Sequence, residues 1–282
     1  MSPPKKVDVN PKEQTILREW RELVEEHYLD DIKHLKGHPD IVWGFEVSHA
    51  HIDEKETLRL EFHINPTRML KLGTRIMREQ FEAQGVQMRP VIRIIELPEH
   101  YLRRLDTLRM RDRNRVVSID VKITNVSQAY GWLKMAVYEC KRCSTQTHID
   151  QRRARERESP GFCQPCFDDL LEASEKGETS PRDLLPPVFK MLTEECKYED
   201  VQDLQMCQVT YNSDHHVLNT STRHQILGTV NDDLVGEVLT STYARVNGIV
   251  RVQPIPERTF AKDTRRLLSI DVLSVEMLPL AD

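Results

Sequence analysis

The chain has 282 residues, 39% hydrophobic and 30% charged, with 10 glycines and a formal net charge of −5. That length leaves room for two or three compact units, and the composition excludes a low-complexity or fibrous protein. No run of about 18 apolar residues occurs, and the opening MSPPKKVDVNPKEQ lacks the apolar stretch of a secretory signal. An intracellular protein with no membrane partner is therefore expected, in the cytoplasm or nucleoid of a prokaryote or the nucleus of a eukaryote.

In chain order, Ile16, Trp20, Leu23, Val24, Tyr28 and Ile32 recur at spacings of three and four, which predicts a helix over 13–35 closed by Gly37 and Pro39. The alternation LRLEFHI predicts a strand over 57–64. Pro66 opens a second helix through Met69, Leu70, Leu72, Ile76, Met77 and Phe81, and Gly85 stops it. A short strand follows at 90–97, then arginines at 103, 104, 109, 111, 113 and 115, where a boundary is expected.

Beyond Arg115 the texture turns to β: VVSIDVKITNV, LKMAVYEC, VQDLQMCQVTY, RHQILGTV, TYARVNGIVRV and RRLLSIDVLSVEML are rich in Val, Ile, Thr and Tyr with period-two alternation. About six runs with one short helix at 232–238 predict a small closed barrel of OB type, interrupted by a cysteine module between the second and third runs. The class is thus α+β: a mainly helical part over 1–105, a zinc-ribbon-like insertion over 138–170, and a barrel from 106–137 and 171–282. Residues 251–266 carry five cations (Arg251, Arg258, Lys262, Arg265, Arg266) against Glu257 and Asp263, so 5 − 2 = +3, opposite in sign to the whole chain. Such asymmetry marks either a nucleic-acid face or a solvated hairpin.

Cys140, Cys143, Cys163 and Cys166 form C-x2-C, nineteen residues, C-x2-C. That spacing fits a four-thiolate zinc site, and four ligands leave no open position for water, so the metal is structural. Two disulfides, idle thiols or an iron–sulfur cluster are the alternatives, the last separable by its colour. His148 is a spare ligand that four cysteines make unnecessary. The intervening QRRARERE mixes both signs, as a solvated loop does; a subunit or nucleic-acid contact is the sharper reading. The histidine pairs His49/His51 and His215/His216 suggest a metal-dependent hydrolase only weakly, because no carboxylate motif accompanies them at helical spacing.

This order of parts resembles the amino-terminal region of the minichromosome-maintenance (MCM) replicative helicases, over nearly the whole chain and most closely over 91–277. The stretch from IRIIELPEHY to MAVYECKRC is similar to the family's approach to its zinc module, with Ala136 and Tyr138 leading into Cys140. RHQILGTVNDDLVGEV resembles the segment P-R-S-x-x-V-x-L-x-x-D-L-V through Arg223, Leu227, Asp233, Leu234 and Val235. YARVNGIVRVQP resembles R-V-x-V-x-G-I-x-R through Arg245, Gly248, Ile249 and Arg251.

The resemblance implies helical, zinc and OB-type subdomains, assembly into hexameric rings around DNA, and a β-hairpin near 252–265 that projects into the channel. It makes Arg258, Lys262 and Arg265 candidates for phosphate contact, with Arg251 and Lys134 on the barrel as secondary ones, on DNA that is expected to be single-stranded. Phe260 is placed either to stack on a base or to pack on its own barrel.

The sequence departs from the family in LQMCQVTYNSDHHVLNT, which lacks the usual acidic and proline residues of L-x-E-x-P-E, and in Val121, where a glycine is usual. No G-x-x-x-x-G-K-[ST] occurs, so no phosphate-cradling loop and no ATPase activity are expected. A cut piece of a helicase and a free-standing relative are both open, the start at Met1 and the altered segment favouring the second. The leading expectation is a DNA-binding and ring-assembly module without catalysis. The runner-up is an assembly adaptor that binds helicase subunits and holds DNA poorly.

Overall fold

Ile16, Trp20, Leu23 and Val24 are buried on one face of α1 (Pro11–His27), in a computed structural model that describes residues 11–151, 157–175, 188–211, 217–254 and 265–278. The described residues of Met1–Ala129 and Gln202–Asp282 form one compact unit, and those of Tyr130–Val201 a second.

The expected single helix over 13–35 is two, because Tyr28 leaves helical geometry between α1 and α2 (Leu29–His34). Its ring meets Phe45 edge-on and its hydroxyl accepts from the Ser48 amide at 2.8 Å, so tertiary contacts override the periodicity. The next element was not anticipated: β1 (Val42–Ser48) pairs in parallel with β2 (Arg89–Ile95), in register from Val42↔Arg89 to Ser48↔Ile95.

The strand expected over 57–64 is instead helix α4 (Glu56–Ile64), after the short α3 (His49–Asp53). Leu58, Glu61 and Phe62 are buried at helical spacing, whereas Leu60 and Ile64 are exposed, so the apparent alternation combined two faces. The helix start is capped from a distance: Glu19 on α1 accepts from the Leu58 amide at 3.0 Å and the Thr57 hydroxyl at 2.5 Å. A carboxylate there satisfies free amides and opposes the helix dipole. Helix α5 (Pro66–Ala83) begins at the expected proline, with the Asn65 side chain accepting from the Arg68 amide at 3.3 Å. It ends before Gly85, whose φ of 73° suits a residue without Cβ. Trp20, Phe62, Met77 and Phe81 are fully enclosed, and the Trp20 indole donates to the Met69 carbonyl at 3.1 Å.

The arginine-rich stretch forms short 3-10 turns. Five strands then close the barrel: β3 (Val116–Val126), β7 (Lys197–Tyr211), β8 (Val217–Asn231), β9 (Tyr243–Pro254) and β10 (Arg266–Met277). Their order is β3-β9-β10-β8-β7, and β7 pairs back onto β3. Ile119, Val121, Ile123, Leu204, Met206, Val246, Val250 and Ile270 fill the interior. Val121, where the family tends to have glycine, is fully buried there. Gly248 permits close pairing, since a side chain at that position would meet Ile270 and the Asp271 backbone. The helix expected over 232–238 is only one 3-10 turn, Asp232–Leu234, followed by Gly236 at φ 88°.

In the second unit, β4 (Tyr130–Cys140) pairs antiparallel with β5 (Gln146–Asp150), β6 (Phe189–Met191) and the start of β7. The run LKMAVYEC, expected in the barrel, therefore belongs to this unit, and five strands suffice for closure. A further helix, α6 (Gln164–Glu175), went unpredicted together with β5 and β6. Among the described residues no helix is long and apolar enough to cross a membrane.

Candidate metal centre and nucleic-acid surface

Strand β4 delivers Cys140 to a tight turn. The Cys140 carbonyl accepts from the Ser144 amide at 2.8 Å, and the Cys140 amide donates to the Thr145 carbonyl at 3.0 Å. Ser144 takes φ 58°, which folds the chain back and brings Cys143 beside Cys140. The second pair stands at the start of α6, where the Cys163 carbonyl accepts from the Phe167 amide and Cys166 lies in the first turn. The sulfurs of Cys140 and Cys166 are 3.8 Å apart and those of Cys143 and Cys163 are 3.4 Å apart. All four lie within 4.8 Å of one another.

Disulfides are ruled out by those distances, against an S–S bond of about 2.05 Å. A tetrahedron with Zn–S bonds of about 2.3 Å sets its sulfurs roughly 3.8 Å apart, so the donor set fits zinc. Cys140, Cys163 and Cys166 are buried. Hydrogen bonding with the Thr145 side chain, 3.2 Å away, and then with its backbone draws Cys143 down to about 6. Burial first, and neighbouring sulfurs second, push Cys166 up to about 12, and burial also raises Cys163. A cation supplies the charge that lets these buried thiols ionise. His148 is exposed on β5 and is not among the clustered ligands. Cys196 donates to the Leu192 carbonyl at 3.3 Å, and the Cys207 sulfur lies 3.8 Å from the Thr124 hydroxyl, both outside the cluster.

Of the loop between the knuckles, Arg152, Arg153, Arg155 and Glu156 lie outside the described residues. The Arg157 guanidinium sits 5.9 Å from the centroid of the Tyr138 ring, whose hydroxyl donates to the Glu158 carbonyl at 2.8 Å. Phe162, Phe167 and Leu171 are exposed, and the two phenyl rings meet edge to face at 6.3 Å.

The described candidates for phosphate contact stand on different elements. Arg251 on β9 reaches Asp271 at 3.2 Å and Thr67 at 2.9 Å, so its guanidinium ties β9 to β10 and to α5. Lys134 stands on β4 in the second unit rather than on the barrel, 3.4 Å from Glu199. Arg265 is exposed just before β10, and its carbonyl accepts from the Arg266 side chain at 2.8 Å. Arg258, Phe260 and Lys262 lie outside the described residues. Strands β9 and β10 pair antiparallel from Met277↔Ala244 to Arg266↔Pro254, with a register shift between Val272 and Ser274. Of the histidine pairs, His49 bonds to Tyr101 and His51 to Tyr28, so the two do not converge; His215 and His216 lie outside the described residues.

Two charge networks, the first around buried Arg93 and the second around buried Asp120, leave little local trace in the sequence. Arg93 on β2 forms an ion pair with Asp233 and donates to the Asn231 carbonyl at 2.7 Å, fastening the helical part to the barrel. On the barrel, Arg245 grips Asp120 with two bonds of 2.8 and 3.0 Å, and the Tyr211 hydroxyl donates to the same carboxylate at 2.6 Å. The Asp120 bond raises Arg245, and burial followed by Asp120 raises Tyr211. The available signal was a charge inside an apolar run, as in VIRII and SIDVKI, since a buried charge requires a partner.

Residues 104–254, just over half of the chain, match the family model described as the MCM OB domain. The chain belongs to the MCM family. Asp233, Arg245, Gly248 and Arg251, which carried the resemblance, all make structural contacts within the barrel unit of this MCM chain. Its fold is also similar to the crystal structure of the N-terminal domain of an archaeal MCM, with a TM-score of 0.68 at 17% identity, covering 95% of this chain and 100% of that one. A search of curated proteins gave no match.

Proposed function

We propose that this chain is a non-catalytic MCM module that binds DNA, preferably single-stranded, through its phosphates, and assembles into a ring with copies of itself or with other MCM subunits. The observation that carries the reading is the OB-type barrel, together with a sequence count of +3 over residues 251–266 in a chain of −5. Arg258, Lys262 and Arg265 are the principal phosphate contacts, because lysine and arginine neutralise phosphates without reading sequence. Phe260 is the base-stacking group. Arg251 and Lys134 are secondary, each already beside a carboxylate.

In the same reading one structural zinc ion occupies Cys140, Cys143, Cys163 and Cys166 and stabilises the unit around them. The exposed Phe162, Phe167 and Leu171 beside it supply a contact between subunits. The functional division into a helical part, a zinc module and a barrel, working inside the cell on replicating DNA, belongs to this proposal too.

Fluorescence anisotropy with labelled single-stranded DNA across a salt series tests the reading. Affinity falls as salt rises, and Arg258→Ala/Lys262→Ala/Arg265→Ala makes the log–log slope shallower by about 2, at roughly 0.7 per contact. The carboxylate partners of Arg251 and Lys134 favour the second reading, an assembly adaptor with little DNA affinity. Absence of binding at low salt would select it.

A further inference from the structure

Apart from the cysteines, the helical part holds a second convergence of metal ligands. His27 closes α1, His51 lies on α3, and Glu54 directly follows α3. One ligand atom from each falls within 4.8 Å of the other two. His27 Nε2 is 3.0 Å from a Glu54 carboxylate oxygen and 3.9 Å from one of Glu26. The imidazoles of His27 and His51 stack, with centroids 3.9 Å apart and planes 6° from parallel.

The surroundings orient these groups. His51 Nδ1 is 2.7 Å from the Tyr28 hydroxyl, and that oxygen also accepts from the Ser48 amide at 2.8 Å. Tyr28 engages Nδ1 of His51, so Nε2 is the ring nitrogen that faces a cation in the tautomer carrying its proton on Nδ1. A hydrogen bond on the far nitrogen is the usual support of a ligating histidine. Lys55, the nearby cation, is occupied by Glu26 at 2.6 Å. The His27 and Glu54 side chains are 26% and 53% exposed, so an ion can enter from solvent.

The geometry points to a divalent transition-metal site made by His27, His51 and Glu54, which clips the end of α1 to α3. Two imidazoles and one carboxylate suit a zinc-class ion, with water completing its coordination. Calcium and magnesium, which require oxygen ligands, are excluded by the same donor set. Binding turns the His27 ring until its lone pair converges with that of His51, which Tyr28 holds in place. No reaction is assigned to the ion.

The test uses the full chain, first loaded with zinc at the cysteine site and then titrated with Co2+. The wild-type chain takes up one further ion by elemental analysis. That ion shows weak d–d absorption without the intense sulfur-to-cobalt band that cobalt among cysteines would give. His27→Gln/His51→Gln abolishes the further ion. The exposed substitution Glu54→Gln keeps the fold and lowers cobalt affinity by about tenfold or more, since even outer partners of a ligand are worth roughly 10–100-fold. One ion per wild-type chain at saturating free cobalt, or a second ion that all the variants retain, overturns the proposal.

Discussion

The barrel unit and the cysteine unit are held together by different physics. The first encloses aliphatic and aromatic side chains in two clusters, one under α1, α4 and α5 and one inside the barrel. In the second, the buried cluster is Cys140, Cys163 and Cys166, with Cys143 and Phe189 packed against it. Apolar burial contributes about 25 cal/mol per Å² whether or not a metal is present, whereas a cluster of thiols gains its stabilisation from the ion it binds. The contrast teaches that metal should control one unit and leave the other folded.

The largest expected effect breaks that contrast directly. Cys163→Ser/Cys166→Ser is expected to abolish zinc binding at the proposed site, and with it a binding free energy that reaches about 10–16 kcal/mol in zinc-finger peptides. Hydrogen exchange should then show 130–150 and 189–200 losing protection while 116–126 and 243–252 keep theirs. Equal loss in both units contradicts the division.

A smaller effect lies wholly in the barrel unit. Arg93→Ala leaves Asp233 without its partner, and breaking a buried pair costs about 3–5 kcal/mol. Urea denaturation reads this loss, and metal content stays at the wild-type value. Replacing both residues by apolar ones of similar volume should restore much of the stability.

The smallest effect is a pH dependence that sharpens the comparison from the helical side. Burial holds His49 below its ordinary value of 6.5, beside the Tyr101 hydroxyl at 3.1 Å and near His63 and His100. The unfolded chain binds that proton more readily, so the contribution of His49 is whole above about pH 6.5 and is lost as pH falls through the lowered folded-state value. Unfolding curves of His49→Gln should lose part of the decline in stability below that pH, with the slope against pH unchanged above it.

What was legible in the residues depended on range. The cysteine site reads from spacing alone because four ligands sit in two local knuckles, and α5 reads from Pro66 to Gly85 because both its ends are marked. Helix α4 did not, since its cap is Glu19, 39 residues earlier than Leu58. Strand β1 did not, because its partner β2 follows only after three helices and Trp43 faces outward. The Arg93–Asp233 pair spans 140 positions and has no local trace beyond a charge within an apolar run. Of the DNA candidates, Arg251 illustrates the same limit: a cation is visible in the sequence, and the aspartate that engages it is not.

The central claim is a DNA-binding module that assembles in copies. Its most direct test is the mass in solution of the metal-loaded full chain, by light scattering or native mass spectrometry, with and without single-stranded DNA. The account predicts a multi-subunit species that retains the strand at low salt and releases it at high salt. A monomer whose mass does not change when DNA is added would contradict it.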